Sequence, residues 1–353
     1  MNNDWKNYLL SKGAQLTDNA AFQFNDYAAD NLKIDNSNIL CDLSQFNTLV
    51  IAGDDAKKFM QGQFTNDVEL VNENNSQLNA FCNNKGRMIA NFRLFKHQQN
   101  YFFSVKNNLV EISIQHLQNY ILRAQVAIQD VSEQLIHLGI SGDDVEKLLL
   151  PFIEITNREV DGISSNENYI AIRIVSLHEN KQPRYEIFCS FEHAKTLWDA
   201  LSTQIEVISS SSWDYLNVQV GLPFIDINTS GEFVPQMVNM DLINGVSFNK
   251  GCFTGQEIVA RMHYLGTLKR RTYLIKIKTS EQPTAGSLLR TDTSAKNQFI
   301  GRLINSSKTN ENEYIALAAI QIKSADTEKL FLTHDNAEIT LLKLPYSLSE
   351  ISN

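Results

Sequence analysis

A chain of 353 residues exceeds the roughly 250 to 300 at which one hydrophobic core stops growing, so more than one domain is expected. With 43% hydrophobic and 20% charged residues it has the composition of a folded globular protein, which excludes wholesale disorder and fibrous repeats. A net charge of -9 opposes a surface that neutralises many phosphates, so direct nucleic-acid binding is not expected.

Residues 1–37, rich in Asn, Asp and Ala with a weakly helical opening, read as an extension ahead of the main fold. The opening MNNDWKNYLLSKGAQL has no basic stretch followed by a long apolar run. Nothing elsewhere approaches the roughly 18 apolar residues that span a bilayer, so a cytoplasmic protein without membrane attachment is expected. TLVIAG (48–53) reads as a strand, followed by a helix in DDAKKFMQGQF that Asp54 would cap, with Phe59 and Met60 facing inward. MIANFRLFK (88–96) alternates, with Met88, Ala90, Phe92 and Leu94 on one face, and pairs hairpin-fashion with YFFSV (101–105). Val110, Ile114, Leu117 and Ile121 recur at helical spacing across 109–123. Strands VAIQDV and LIHLGIS follow. A second round begins near 142: helix DDVEKLLLPF, strands YIAIRIV and RYEIFCS, helix EHAKTLWDAL. Two strand-strand-helix rounds predict an α+β fold with antiparallel sheets over 38–270, in two subdomains. Beyond Arg271 the short strands TYLIKIK, QFIGRLINSS, YIALAAIQ and AEITLLKL predict a small C-terminal β-barrel over 271–353, without helices.

Four cysteines, Cys41, Cys82, Cys189 and Cys252, form no C-x-x-C pair, which disfavours a zinc site or a self-contained iron-sulfur cage; no metal site is expected. The first three read as small core residues. Cys252 lies in SFNKGCFTGQEIVARMHYLGTLKRR (247–271), where Thr254 and Glu257 have capping-box spacing for a helix from about Gly255. That helix would bury Ile258, Val259 and Met262 and stop at a left-handed Gly266. Two readings of the thiol stand side by side. The helix N-terminus and Lys250 would favour its thiolate, or Gly251 and Gly255 simply allow a tight turn beside which Cys252 fills a pocket. KGCFTG lacks the spacing of a nucleotide P-loop. His97, His178 and His334 fall in polar turns, His116 and His137 within elements, and His193 and His263 near helix ends. None forms a triad, and no hydrolase, zincin or dinucleotide motif is present.

KGCFTGQE (250–257) resembles the K-G-C-[FY]-x-G-Q-E signature of the YgfZ family. The likeness extends to GLPFIDINTSGEFVPQMVNMD (221–241), GDDAKKFMQGQFTNDV (53–68), NNKGRMIANFRLF (83–95) and the closing LPYSLSE, so it spans about residues 40 to 350. It implies an aminomethyltransferase-like fold that encloses tetrahydrofolate, or a one-carbon derivative of it, between α+β domains. It further implies a part in iron-sulfur cluster assembly or repair in clients such as the tRNA methylthiotransferase, with Cys252 and Lys250 as functional residues and Gly251, Gly255, Gln256 and Glu257 completing the motif. By the same likeness Trp213, Phe46, Gln219 and Arg261 are the cofactor-binding candidates, Phe46 standing where relatives carry tryptophan and Gln219 where they commonly carry glutamate. Ala90 and Asn91 occupy the places of an acidic pair in aminomethyltransferases, so classical transferase activity is not expected.

Two other functions remain open on the sequence. One is a one-carbon transferase acting on a small amine; the other is a folate-free interaction module docking an acidic partner through Lys269, Arg270 and Arg271.

Overall fold

The computed structural model describes residues 1–17, 21–25, 30, 33–34, 37–177, 181–293, 298–327 and 329–348; His178 lies outside them. The chain forms two compact units, each assembled from separate stretches. The first comprises 1–56, 70–77 and 93–213, the second 57–69, 78–92 and 214–353.

In the first unit a six-stranded sheet runs in the order Ile163–Ser165, Tyr169–Ile174, Arg184–Cys189, Ile136–Ser141, Ile39–Asp42, Glu206–Ile208. Every neighbouring pair is antiparallel except the last. Hairpin reasoning over consecutive elements could not foresee that parallel edge, because its two strands are far apart in sequence. Successive residues of a strand point to opposite faces. On one face Ile136, Leu138, Ile140, Tyr185, Ile187 and Cys189 join a core with Ala194, Leu197, Trp198 and Leu201 of the helix Phe191–Leu201. The same core takes Trp5 and Leu9 from the helix Asn3–Ser11, so the opening of the chain is packed into this unit; the Trp5 Nε1–H donates to buried Asp42 at 2.7 Å. The other face carries His137, Gly139 and Ser141 opposite Phe188, Glu186 and Arg184.

A second sheet in this unit pairs residues 93–97 of the strand Met88–His97 with Asn100–Lys106, that strand with Phe46–Ala52, and Phe46–Ala52 with Ala127–Asp130. The hairpin expected of MIANFRLFK and YFFSV is therefore present. The helix expected across 109–123 is shorter, Val110–Gln118, with Leu117 and Ser113 its buried residues, and Leu122 adopts a positive φ of 49° that a helix cannot contain.

In the second unit six strands close into a barrel: Arg270–Lys278, Glu313–Gln321, Gly301–Asn310, Leu288–Thr291, Leu330–Leu332, Glu338–Leu342. Its interior is lined by Ile275, Ile277, Leu289, Leu303, Ile320, Leu332 and the small Ala316 and Ala318, which suit the tight interior of a small barrel. One short helix, Ile322–Thr327, interrupts the strands where none was expected.

Candidate functional site

The helix of the cysteine segment runs Gln256–Tyr264 in the second unit and opens at Gly255, whose φ of +82° is left-handed. A Cβ at Gly255 would meet Asn83 O at 2.4 Å, so both conformation and space require glycine. The expected capping box does not form. The chain turns at Gly255, which makes Gly255 the cap residue and leaves Thr254 ahead of it; Thr254 Oγ1 donates instead to Gln63 Oε1 at 3.0 Å, and its amide to Gly62 O at 3.1 Å. Val259 is buried, but Ile258 is 36% exposed, because the helix lies on the surface and the inward stripe is narrower than its apolar residues suggest. The helix ends at Tyr264 with Leu265 as cap, and Gly266 is not left-handed.

Cys252 is exposed, whereas Cys41, Cys82 and Cys189 are buried as expected, burial pushing the Cys82 and Cys189 thiols well up. Gly251 beside it is exposed, and an added Cβ there would meet no atom within 4 Å. Lys250 turns inward. Its Nζ donates to the carbonyls of Phe64 at 2.6 Å, Asn66 at 2.8 Å and Gln61 at 2.9 Å, all three of its N–H groups thus having a backbone acceptor. Burial draws the Lys250 pKa down to about 8, with Asp67 opposing. Gln256 is half-buried, and Glu257 and Arg261 are exposed on the helix.

Elsewhere in this unit Gln219 Nε2 donates to Tyr215 Oη at 2.6 Å. Ala90 and Asn91 are buried. Asn91 uses both ends of its amide on one loop, Nδ2 donating to Pro223 O at 2.7 Å and Oδ1 accepting from Ile225 N at 2.8 Å. Where the aminomethyltransferase pattern places acids, this chain has a strap. The basic triplet is split: Lys269 is exposed and Arg270 half-buried, while Arg271 is buried and paired with both oxygens of Asp241 at 2.6 and 3.0 Å. A guanidinium at the start of an inward-alternating barrel strand finds a buried carboxylate, so Arg271 has no part in a solvated docking surface.

The first unit holds the second group of polar residues, on the sheet face opposite the one that packs on the helix Phe191–Leu201. The Trp213 ring lies on Gly139, where a Cβ would come within 2.9 Å of it, and the Arg184 guanidinium sits 4.4 Å from the ring centre. Trp213 is wholly buried, so its ring already carries protein atoms; its Nε1–H has no hydrogen-bond partner among the described residues. On the same face His137 stacks on Phe188 at 4.2 Å, with Phe46 at 6.2 Å. His137 Nε2 is 3.5 Å from Glu186 Oε2, an ion-pair distance without hydrogen-bond alignment, and Nδ1 has no hydrogen-bond partner among the described residues. Gln45 Nε2 donates to Ser210 O at 3.2 Å, and Gln45 Oε1 is unbonded among the described residues. Burial alone would raise the Glu186 carboxyl, but His137, Arg93 and Arg184 outweigh it and hold it below the usual carboxylate range. Burial pulls Arg184 down to about 9, with Glu186 opposing.

The family likeness singled out Trp213 and Phe46 but not Gln45, His137, Arg184 and Glu186, which share the unit with them. The available signal was alternation: LIHLGIS and RYEIFCS place His137, Glu186 and Arg184 on one face of strands whose other face is apolar, whereas Gln45 lies in neither strand. Among the described residues no group of three or more His, Cys, Asp or Glu could hold a metal ion, and no helix is long and apolar enough to cross a membrane.

The family model of the GCVT N-terminal domain matches residues 9–247. The chain is 30% identical over 313 residues to the tRNA-modifying protein YgfZ of Escherichia coli O45:K1 (strain S88 / ExPEC), covering 88% of this chain and 94% of that one. The same identity and coverage hold for the tRNA-modifying protein YgfZ of Shigella boydii serotype 18. Among solved structures, the glycine cleavage system aminomethyltransferase T from Bartonella henselae superposes with a TM-score of 0.78 over 97% of both chains at 14% identity, a likeness of fold.

Proposed function

The chain belongs to the YgfZ family, among proteins that carry the GCVT N-terminal domain, and from that premise we propose that it is a tetrahydrofolate-binding factor with Cys252 as its reactive thiol. In this reading it supports iron-sulfur cluster assembly or repair in client enzymes. Through a client such as the tRNA methylthiotransferase it serves tRNA modification, the role its relatives' name gives, without contacting tRNA. The net charge of -9 agrees with the indirect route. Residues 38–270 would form the folate-binding region and 271–353 the barrel.

The observation that carries folate binding is the Nε1–H of fully buried Trp213, which has no hydrogen-bond partner among the described residues, accompanied in the same unit by Gln45 Oε1 and His137 Nδ1, likewise unbonded among them. A buried polar atom left unpaired costs about 1–3 kcal/mol, so such atoms call for a partner of complementary chemistry. A pterin has a flat ring and an edge of alternating amide donors and acceptors, which suits an indole N–H, a glutamine oxygen, a carboxylate and an imidazole. Trp213, Gln45, His137 and Glu186 would hold that edge, with Phe46 beside them; Gln219 and Arg261 are further candidates on the family likeness alone. Bound tetrahydrofolate supplies a carrier for a one-carbon unit. The chain's own residues supply the ring's hydrogen-bond partners and an exposed thiol, and Ala90 and Asn91 supply no carboxylate for proton transfer to an amine. Titration calorimetry with tetrahydrofolate tests the reading: a saturable heat supports it, and no binding at millimolar folate overturns it.

A further inference from the structure

Cys252 is bracketed by two residues tied to one stretch of chain. Ahead of it, Lys250 Nζ donates to Gln61 O, Phe64 O and Asn66 O. Behind it, the Thr254 amide donates to Gly62 O and its hydroxyl to Gln63 Oε1. All five acceptors lie within Gln61–Asn66. That stretch is itself immobilised in the second unit, the Phe64 side chain being wholly buried, Thr65 Oγ1 donating to Gly245 O and Asn66 Nδ2 to Asn244 O. Phe253 is buried, with Lys250 Nζ 5.4 Å from its ring centre. Between these anchors Gly251 has open space around it and Cys252 faces solvent.

Three carbonyl oxygens converging on one point repel one another unless a cation or three donors sit between them. An ammonium supplies both, with three N–H groups and a positive charge. Committed in this way, it is a tether for the segment.

We propose that Lys250 is a positioning residue for Cys252: its ammonium fills the carbonyl cage of Gln61, Phe64 and Asn66 and so holds the segment 250–254 with the thiol presented outward in one orientation. The proposal rests on Cys252 being the reactive group, and it differs from a charge effect on the thiolate, which would act through space and leave the segment's mobility unchanged.

The test uses the full chain with a nitroxide spin label on Cys252, the other described cysteines being buried. The native protein should give a broad, immobilised spectrum. Lys250→Met should narrow it several-fold in correlation time, and Lys250→Gly should regain breadth when n-butylammonium is added, since that ion replaces the deleted side chain. In the unlabelled protein the pH midpoint of Cys252 alkylation by iodoacetamide should stay the same in Lys250→Met. An unchanged spectrum in Lys250→Met overturns the proposal. So does a midpoint displaced by more than about one pH unit with the spectrum unchanged, which would show that Lys250 acts by charge. If Lys250→Met does not fold, the native labelled protein decides. Above about pH 8 the neutral amine has two N–H groups for three carbonyls, with Asp67 the charged neighbour, so the spectrum should narrow there, and a spectrum constant to pH 10 overturns the tether. None of these readouts involves folate or a client, so their failure leaves the proposed function standing and its failure leaves them intact.

Discussion

Arg184 holds its guanidinium 4.4 Å from the centre of the Trp213 ring, and both side chains are buried in the first unit. A desolvated cation over an indole gains about 2 kcal/mol or more, so the ring stabilises a charge that burial otherwise opposes. The indole therefore has a structural task besides any ligand it meets, and the variant used to probe binding has to keep a ring in place.

Trp213→Phe keeps an aromatic face toward Arg184 while deleting the unbonded N–H together with the pyrrole part of the indole. Tetrahydrofolate affinity should fall about tenfold, the equivalent of one hydrogen bond worth about 1.4 kcal/mol, with a smaller loss of stability than in Trp213→Ala, because the phenyl ring leaves the smaller void. Trp213→Ala should cost about 3–5 kcal/mol of stability, because it opens a cavity under a buried cation. Calorimetry and urea unfolding on both variants check this; equal folate affinity in Trp213→Phe and the native chain would remove the indole N–H from the site.

Asn91→Ala should destabilise the second unit by about 1–3 kcal/mol, since it strands Pro223 O and the Ile225 amide in the interior. Asn91→Asp should be no better, as it sets a carboxylate oxygen against Pro223 O, and it should not create aminomethyl transfer. Urea unfolding measures the first effect and a glycine-cleavage assay the second.

Gly255→Ala should lower stability by about 1–3 kcal/mol through its left-handed backbone and the approach to Asn83 O. Gly251→Ala, with open space around it, should change stability by no more than about 0.5 kcal/mol. Thermal melts of the pair separate the glycine that the fold needs from the one that it does not.

Lys250 gives stability an alkaline slope whose sign is opposite to the usual lysine case. Folded Lys250 releases its proton near 8 and the unfolded chain near 10.5, so between those values the unfolded state binds more protons and this group's contribution to stability rises with pH. The slope reaches at most about 1.4 kcal/mol per pH unit. Subtracting the urea-derived stability of Lys250→Met from that of the native chain, pH by pH from 7 to 10, isolates it; a difference that falls over that range would contradict the sign.

Cys252→Ala should leave the melting temperature nearly unchanged, because the side chain is exposed and touches no core. It should also reduce maturation of iron-sulfur clients in a strain lacking the gene. Iodoacetamide should modify Cys252 ahead of Cys82 and Cys189, whose buried thiols resist ionisation. Full complementation by Cys252→Ala, with failure of Thr254→Ala, would make the segment a structural clasp.

What the sequence by itself determined was local and periodic. Alternation in MIANFRLFK and YFFSV specified a hairpin, the short strands beyond Arg271 specified a barrel, and KGCFTGQE marked the family, because side-chain period and turn chemistry are properties of a few consecutive residues. What only the tertiary structure decided was where each polar group finds its partner. Lys250 reaches carbonyls 184 to 189 positions away rather than the thiol two residues on. Thr254 bonds Gln63 instead of capping its own helix, Arg271 turns inward to Asp241, and His137 lies on the sheet face that holds Glu186. A hydrogen bond or an ion pair is set by distance in space, and for residues this far apart that distance exists only once the chain has folded.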